Sequence, residues 1–220
     1  MNEPSRDRIF AGIRSSLGAD SSTPLRRTSS YTSNLIPART QHEGIDLKAL
    51  FIEMAETVKC SVARVAATDE VPQAIAAYLA EHNLPTDLVM APDRRLDEIP
   101  WTAAPMLAFR RSAARESDLV AITGTFAAIA ETGTLMMVSD AERPNTLNFL
   151  PDNHIVVVDA NDIVATYEDA WMRLRGAGEE IEMPRTVTFI TGPSRTSDIE
   201  LVPTLGAHGP RRLHIVISGE

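Results

Sequence analysis

Between residues 47 and 90 the chain alternates a helical apolar pattern with a short apolar run, twice over, and few folds accept that succession. Leu47, Leu50, Phe51, Met54 and Val58 recur at the spacing of a helix packed on a sheet, and Val62-Ala63-Arg64-Val65 follows as a short strand. Asp69 then offers an N-cap for a second helix running through Ile75, Tyr78 and Leu79, and Leu88-Val89-Met90 is the next strand-like run. Strand, helix and strand joined by brief connections make a crossover unit, which places the strands parallel. Further apolar runs at 119–122, 126–130, 134–138, 155–158, 186–190 and 213–217 read as strands, with one helix from Ile163 to Leu174 and turns marked by Gly or Pro. The expected fold is α/β, a mostly parallel sheet flanked by helices.

Three segments are expected. Residues 1–18 form an amphipathic helical arm, with Ile9, Phe10, Ile13 and Leu17 on one face, Ser5 as N-cap and Gly18 as stop. Residues 19–45 are rich in Ser, Thr, Pro and Arg, too poor in apolar side chains to offset the entropy of ordering, and read as a flexible linker. Residues 46–220 form the α/β domain. An arm of this kind docks on a second subunit or a partner, so a homo-oligomer through residues 1–18 is one expectation and a frayed terminus the other.

Charge and cysteine count narrow the function. Residues 1–45 hold six Arg against four acids, and the remainder holds fifteen basic against twenty-six acidic groups. Nucleic-acid affinity comes from clustered Lys and Arg, so an acidic body excludes nucleic acid as an expected partner. The longest apolar stretches, such as Ile155-Val156-Val157-Val158, are far short of a membrane span, and no apolar leader follows the first charges; a cytoplasmic protein without membrane contact is expected. Cys60 is the only cysteine, and His42, His82, His154, His208 and His214 show no paired ligand spacing. No cofactor and no metal are therefore expected, because a cysteine-ligated iron–sulfur cluster needs several thiolates.

Three stretches carry candidate chemistry. The first, from Ile122 to Leu135, places Glu131 among small residues, and N–H groups beside Gly124 and Gly133 can hold an anion or a carbonyl oxygen. The alternative is that the glycines form a turn which Glu131 caps. In the second, Arg143 offers a forked donor to a carboxylate or phosphate, while His154, directly before four apolar residues, reads as a core or strand-end histidine. The third, Ile190-Thr191-Gly192-Pro193-Ser194-Arg195-Thr196-Ser197-Asp198-Ile199-Glu200, opens toward Leu205-Gly206-Ala207-His208-Gly209-Pro210. With Ser194 capping a short helix, it would form an anion cradle. It is neither a Walker loop nor a dinucleotide fingerprint.

Ala130-Glu131-Thr132-Gly133-Thr134, Gly192 to Glu200, and Gly206-Ala207-His208-Gly209-Pro210 together resemble the LUD-domain family in its cysteine-poor, stand-alone form, over roughly residues 46–220. The family commonly has Ala where this chain has Ser197. The resemblance implies a NagB/RpiA/CoA-transferase-like fold with a pocket at the strand ends. It also implies a non-redox accessory role in oxidising L-lactate to pyruvate, with two iron–sulfur lactate utilization proteins as partners that carry the electrons. Thr123, Gly124, Glu131, Thr132, Gly133, Thr134, Arg143, Asn145, Gly192, Ser194, Arg195, Thr196, Asp198, Glu200 and His208 are the candidate binding residues. In this reading Arg195 pairs one of the acids and a small carboxylate sits nearby. Two alternatives stay open: a transferase or isomerase acting on a small acyl or sugar-phosphate substrate through Glu131 as catalytic nucleophile, and a lactate-responsive ligand-sensing module.

Overall fold

The computed structural model describes residues 3–17, 37–40, 44–176, 183–196 and 204–219. The chain divides into two compact units, Met1–Leu35 and Ile36–Glu220. Within the first, helix α1 (Glu3–Leu17) begins two residues ahead of Ser5, which falls inside the helix instead of capping it. Pro4 fits this start, since a first-turn proline gives up no intrahelical hydrogen bond. Ile9, Phe10 and Ile13 are exposed, and the Arg6 guanidinium stands 5.5 Å from the centre of the Phe10 ring. Most of the expected linker, and Gly18, lie outside the described residues.

The second unit is built on six parallel strands in the order β1-β12-β7-β4-β2-β3: β1 (Ser61–Val65), β12 (Arg212–Ser218), β7 (Asn153–Asp159), β4 (Val120–Gly124), β2 (Asp87–Met90) and β3 (Ala108–Arg111). The longest pairing, β12 with β7, sets Leu213 beside His154, Ile215 beside Val156 and Ile217 beside Val158. These central strands are apolar on both faces because both faces are covered, as a parallel sheet requires. On one side α3 (Val71–Glu81) packs Val71, Ile75 and Leu79 against Ile122, Ile155 and Val216. On the other, α2 (Leu47–Thr57) packs Phe51 and Ala55 against Val156, Val158, Ile215 and Ile217. Each of the larger of these side chains contributes about 1.5–3 kcal/mol by leaving water.

A second sheet, β8-β5-β6-β9, lies on the α2 side: β5 (Ala127–Ile129), β6 (Thr134–Val138), β8 (Ile163–Val164) and β9 (Val187–Ile190). Ala128, Leu135 and Met137 face α2 and the main sheet, whereas Ala127, Ile129 and Met136 face α5 (Tyr167–Arg175) through Ala170 and Leu174. This alternation is the two-residue period of a strand buried on both faces. A short ribbon of β10 (Arg195–Thr196) and β11 (Thr204–Leu205) completes the described strands.

Three expectations are corrected. Ile163-Val164 is a strand, not the first turn of the last helix: it pairs with Ala128-Ile129, and the helix starts only after a capping box between Thr166 and Asp169. Asp69 does not cap α3; it lies in a 3-10 turn, Thr68–Glu70, and α3 then starts at Val71 with Pro72 in its first turn and no side-chain cap. Ser194 caps no helix, because Arg195–Thr196 continues as a strand.

Candidate functional site

From β2 the next strand of the main sheet is β3 at its edge, whereas from β4 the next is β7 toward its centre. The adjacent carboxyl ends of β2 and β4 therefore diverge, and in open α/β sheets such a divergence leaves a crevice in which ligands bind. After β2, Asp93 caps the short helix α4 (Arg94–Asp97), its Oδ1 accepting from the Arg95 N–H at 3.0 Å. That turn aims the Arg95 side chain across the end of β4, where Nη1 donates to the Thr125 carbonyl at 3.3 Å and Nη2 pairs with Asp162. Arg173 of α5 pairs with the other oxygen of Asp162, and its guanidinium lies 5.4 Å from the Phe126 ring centre.

Two guanidinium groups thus share one buried carboxylate, while Glu98 and Asp159 add carboxylates to the crevice wall. Arg95 is the more exposed of the two guanidinium groups, 47% of its side chain against 37% for Arg173, and Asp162 is 6% exposed. The cavity beside it, about 90 Å³, is bounded by Thr68, Glu98, Gly124, Asp159 and Ser218. At Gly124 a Cβ would stand 3.5 Å from Asp93 Oδ2, an ordinary contact. Next to it is a pocket of about 10 Å³, room for one water, lined by Thr123, Gly124, Phe126, Arg143 and Asn148. Arg143 has its fork engaged by Asp140, with Nε at 3.0 Å. Burial pulls the Asp140 carboxyl upward, but the hydrogen bonds and charge of Arg143 hold it below the usual carboxylate range.

Glu131 belongs to a different place. It is 4% exposed in the turn between β5 and β6, and its Oε1 accepts from the Tyr167 N–H at 3.2 Å, where the positive end of α5 favours a carboxylate. It lines neither the crevice nor its neighbour. Gly133, at φ 65, packs so closely that a Cβ would meet Ala55 N at 2.3 Å. Hydroxyls close the joint: Thr134 Oγ1 is 2.7 Å from Thr132 Oγ1, 2.9 Å from the Tyr167 hydroxyl and 2.7 Å from Thr191 Oγ1. The capping alternative for this motif is the geometry found, with one turn fastening α2, α5 and β9.

The third stretch gathers at the opposite end of the main sheet, where the chain enters β7 and β12. Ser194 N–H donates to the Pro210 carbonyl at 2.8 Å, and Ser194 Oγ accepts from the His208 N–H at 3.2 Å. Arg195 donates to the Val58 carbonyl at 3.1 Å; of the three acids expected to pair it, Glu131, Asp198 and Glu200, the last two lie outside the described residues. Gly192, at φ 82, lets the loop approach Val58 O, which a Cβ would meet at 2.5 Å. Together these residues border an open cleft of about 260 Å³ with Phe149, Phe189 and His208. Asn145 braces the segment between the two ends, its Oδ1 accepting from Asn148 Nδ2 at 3.1 Å and Thr188 Oγ1 at 3.3 Å. The three loops therefore border separate places and not one cavity.

His154 is a core residue, 1% exposed, with Nε2 2.7 Å from Thr123 Oγ1, and burial pushes its pKa down to about 3. His214 has Nδ1 2.8 Å from Ser61 Oγ and stacks on Tyr78 at 3.8 Å, and burial lowers its pKa to about 4. Cys60 is buried, and its thiol is pushed up to about 11 by desolvation. Among the described residues no group of three or more His, Cys, Asp or Glu can hold a metal ion, and no helix is long and apolar enough to cross a membrane. Sequence reasoning missed Asp93, Arg95, Asp162 and Arg173. The signal was Asp93-Arg94-Arg95 directly after the apolar run of β2, a cap at the end of a parallel strand.

The LUD domain matches residues 48–218. Two proteins called lactate utilization protein C are similar: that of Deinococcus radiodurans is 38% identical over 99 residues, 44% of this chain and 45% of the relative, and that of Anoxybacillus flavithermus is 31% identical over 106 residues, 48% and 46%. Each match spans under half of the relative's length. A crystal structure of a DUF162 family protein from Deinococcus radiodurans superposes with a TM-score of 0.56 at 24% identity, covering 79% of this chain and 96% of that one, a likeness of fold. With a family match running through nearly all of the α/β unit, the chain belongs to the LUD domain family.

Proposed function

We propose that this chain serves lactate utilization as a subunit without a redox centre, holding a small carboxylate while two iron–sulfur proteins carry the electrons. The name shared by its relatives supports the pathway. Cys60 is the observation that carries the division of labour: it is the one thiol of the chain and lies buried in the α2 core, and a cysteine-ligated cluster needs several thiolates. The carboxylate is assigned to the crevice at the ends of β2 and β4. There the exposed side of Arg95 presents N–H donors beside the Ser218 and Thr68 side chains, with Glu98 and Asp159 on the same wall as acceptors for a ligand hydroxyl, in a volume suited to a molecule of few heavy atoms. Its residues complement Thr123, Gly124 and Arg143 on the neighbouring wall. Residues 1–18 provide the docking arm, for a second copy of the chain or for a partner.

The test is purification of the tagged full chain from lactate-grown cells, with lactate oxidation assayed for the complex and for the chain alone. Activity is expected in the complex only. Arg95→Gln should raise KM for lactate by about tenfold, the scale of one charge-assisted hydrogen bond, with a smaller change in kcat. Lactate oxidation by the isolated chain would overturn the reading.

A further inference from the structure

A second cleft, independent of the carboxylate crevice, lies where the chain enters β1 and β12. It measures about 340 Å³ and is lined by Lys59, Ser61, Tyr78, Arg211 and Arg212, with Glu56 as the acid on its wall. In a chain of net charge −9, three cations on one cleft call for a reason. Two of them, Lys59 and Arg212, enter no ion pair among the described residues.

Both arginines have side-chain partners, and the lysine is placed by its backbone. Arg212 Nη1 donates to Asn153 Oδ1 at 3.1 Å, and Asn153 is itself buried and fixed to the Leu119 carbonyl at 3.0 Å. That neutral acceptor orients the guanidinium without cancelling its charge. Arg211 lies across Gly206, where a Cβ would meet its Cγ at 2.3 Å, and it is only loosely shared with Asp152 at 3.6 Å. Lys59 occupies the residue after the end of α2 at φ 74, closing the helix through Lys59 N–H to Glu56 O at 2.9 Å and Cys60 N–H to Ala55 O at 3.0 Å. Glycine is the usual residue in this motif, and a lysine there costs about 1 kcal/mol. The equivalent residue after α3 is Asn83, at φ 53, a type that tolerates this conformation. The Ser61 hydroxyl, 2.8 Å from His214 Nδ1, and the Tyr78 ring, stacked on His214, give the cleft a fixed polar wall.

We propose that this cleft binds phosphate, free or as the terminal group of a small metabolite. A phosphate near pH 7 carries about −1.5 to −2 charges and several acceptor oxygens. With Glu56 on the wall and Asp152 beside Arg211, the three cations still leave a surplus of one positive charge, and together with the Ser61 hydroxyl they offer more donors than a monocarboxylate accepts.

Calorimetric titration of the full chain with inorganic phosphate, and separately with glycerol 3-phosphate, tests the site. Saturable binding of phosphate is expected; binding of both ligands assigns the terminal group of a metabolite, and binding of phosphate alone assigns the free ion. Arg212→Gln should weaken binding at least about tenfold. Lys59→Gly should weaken it comparably while the melting temperature holds or rises, since glycine relieves the backbone. Arg94→Gln removes the same charge from a residue outside this cleft and should leave the affinity unchanged. Absence of saturable binding of either ligand, or equal affinity in the Lys59→Gly and wild-type chains, would overturn the proposal.

Discussion

At the scale of single residues, the buried histidines set a pH limit on stability. An imidazole in the unfolded chain titrates near 6.5, whereas the folded chain holds His154 neutral to about 3 and His214 to about 4. The unfolded state therefore takes up protons first as pH falls. Stability is fully present at pH 7, declines below about 6.5, and goes on declining until the folded histidines protonate. Each group adds a slope of at most about 1.4 kcal/mol per pH unit. Urea midpoints at pH 7.0, 5.5 and 4.5 should show a shallower acid decline in His154→Gln and His214→Gln than in the wild type, whatever their stability at pH 7. Parallel declines would mean that neither imidazole is withheld from protons. Glu131 makes the complementary case for a carboxylate. Because it accepts from the first N–H of α5, Glu131→Ala should cost about 1–3 kcal/mol by urea or thermal unfolding. A fully folded Glu131→Ala chain in the complex should retain its lactate turnover. Turnover lost with stability unchanged would restore Glu131 as a catalytic group. Its two roles were both open in the sequence, since a carboxylate among small residues suits a cap as well as a nucleophile; the partner it caps, Tyr167, lies 36 residues away.

Among the elements, the turn between β5 and β6 holds the most together for its size. Its Gly133 touches α2, its Glu131 caps α5 and its threonines reach Tyr167 and Thr191. Gly133→Ala would put a methyl into the α2 backbone at a residue of positive φ, and a loss of about 3 kcal/mol or more is expected in a urea melt. Loss under about 1 kcal/mol would show that α2 does not pack there. The strands that form the two central layers were legible because they are short apolar runs between turn residues, as in 155–158 and 213–217. Of the edge strands, β1 and β9 were legible in the same way, but β3 and β8 were not: β3 carries Arg110 and Arg111, and β8 is two residues that only pairing with β5 makes extended. Nor did the sequence separate the strands into two sheets, since the same apolar alternation serves either, and partner choice is a long-range property. For the same reason the motif glycines could be located but not assigned to an end of the sheet. Gly124 lies at the carboxyl ends, while Gly192 is with the loops entering β7 and β12.

For the whole molecule, the thiol offers a probe of how the layers hold together. Cys60 lies where α2 has ended and β1 begins, in the cluster that joins α2 to the main sheet. Reagents attack the thiolate, and raising the thiol from 9.0 to about 11 leaves about a hundredfold less of it at neutral pH, before burial restricts access. Reaction with a disulfide reagent should thus be slower in the native chain than in the urea-unfolded chain by about a hundredfold or more. If labelling requires global opening, its rate should rise in step with the destabilisation caused by Gly133→Ala, because that substitution strikes the same α2 backbone. A thiol that reacts as fast folded as unfolded would mean that α2 does not shield it. It would also reopen the question of electron carriage, since an accessible thiolate is the one group here that a cluster shared between subunits could recruit. Iron and sulfide added to the full chain separate the outcomes: a shielded Cys60 gives no stable visible absorbance, and a stable cluster spectrum would contradict the assignment of redox work to partners.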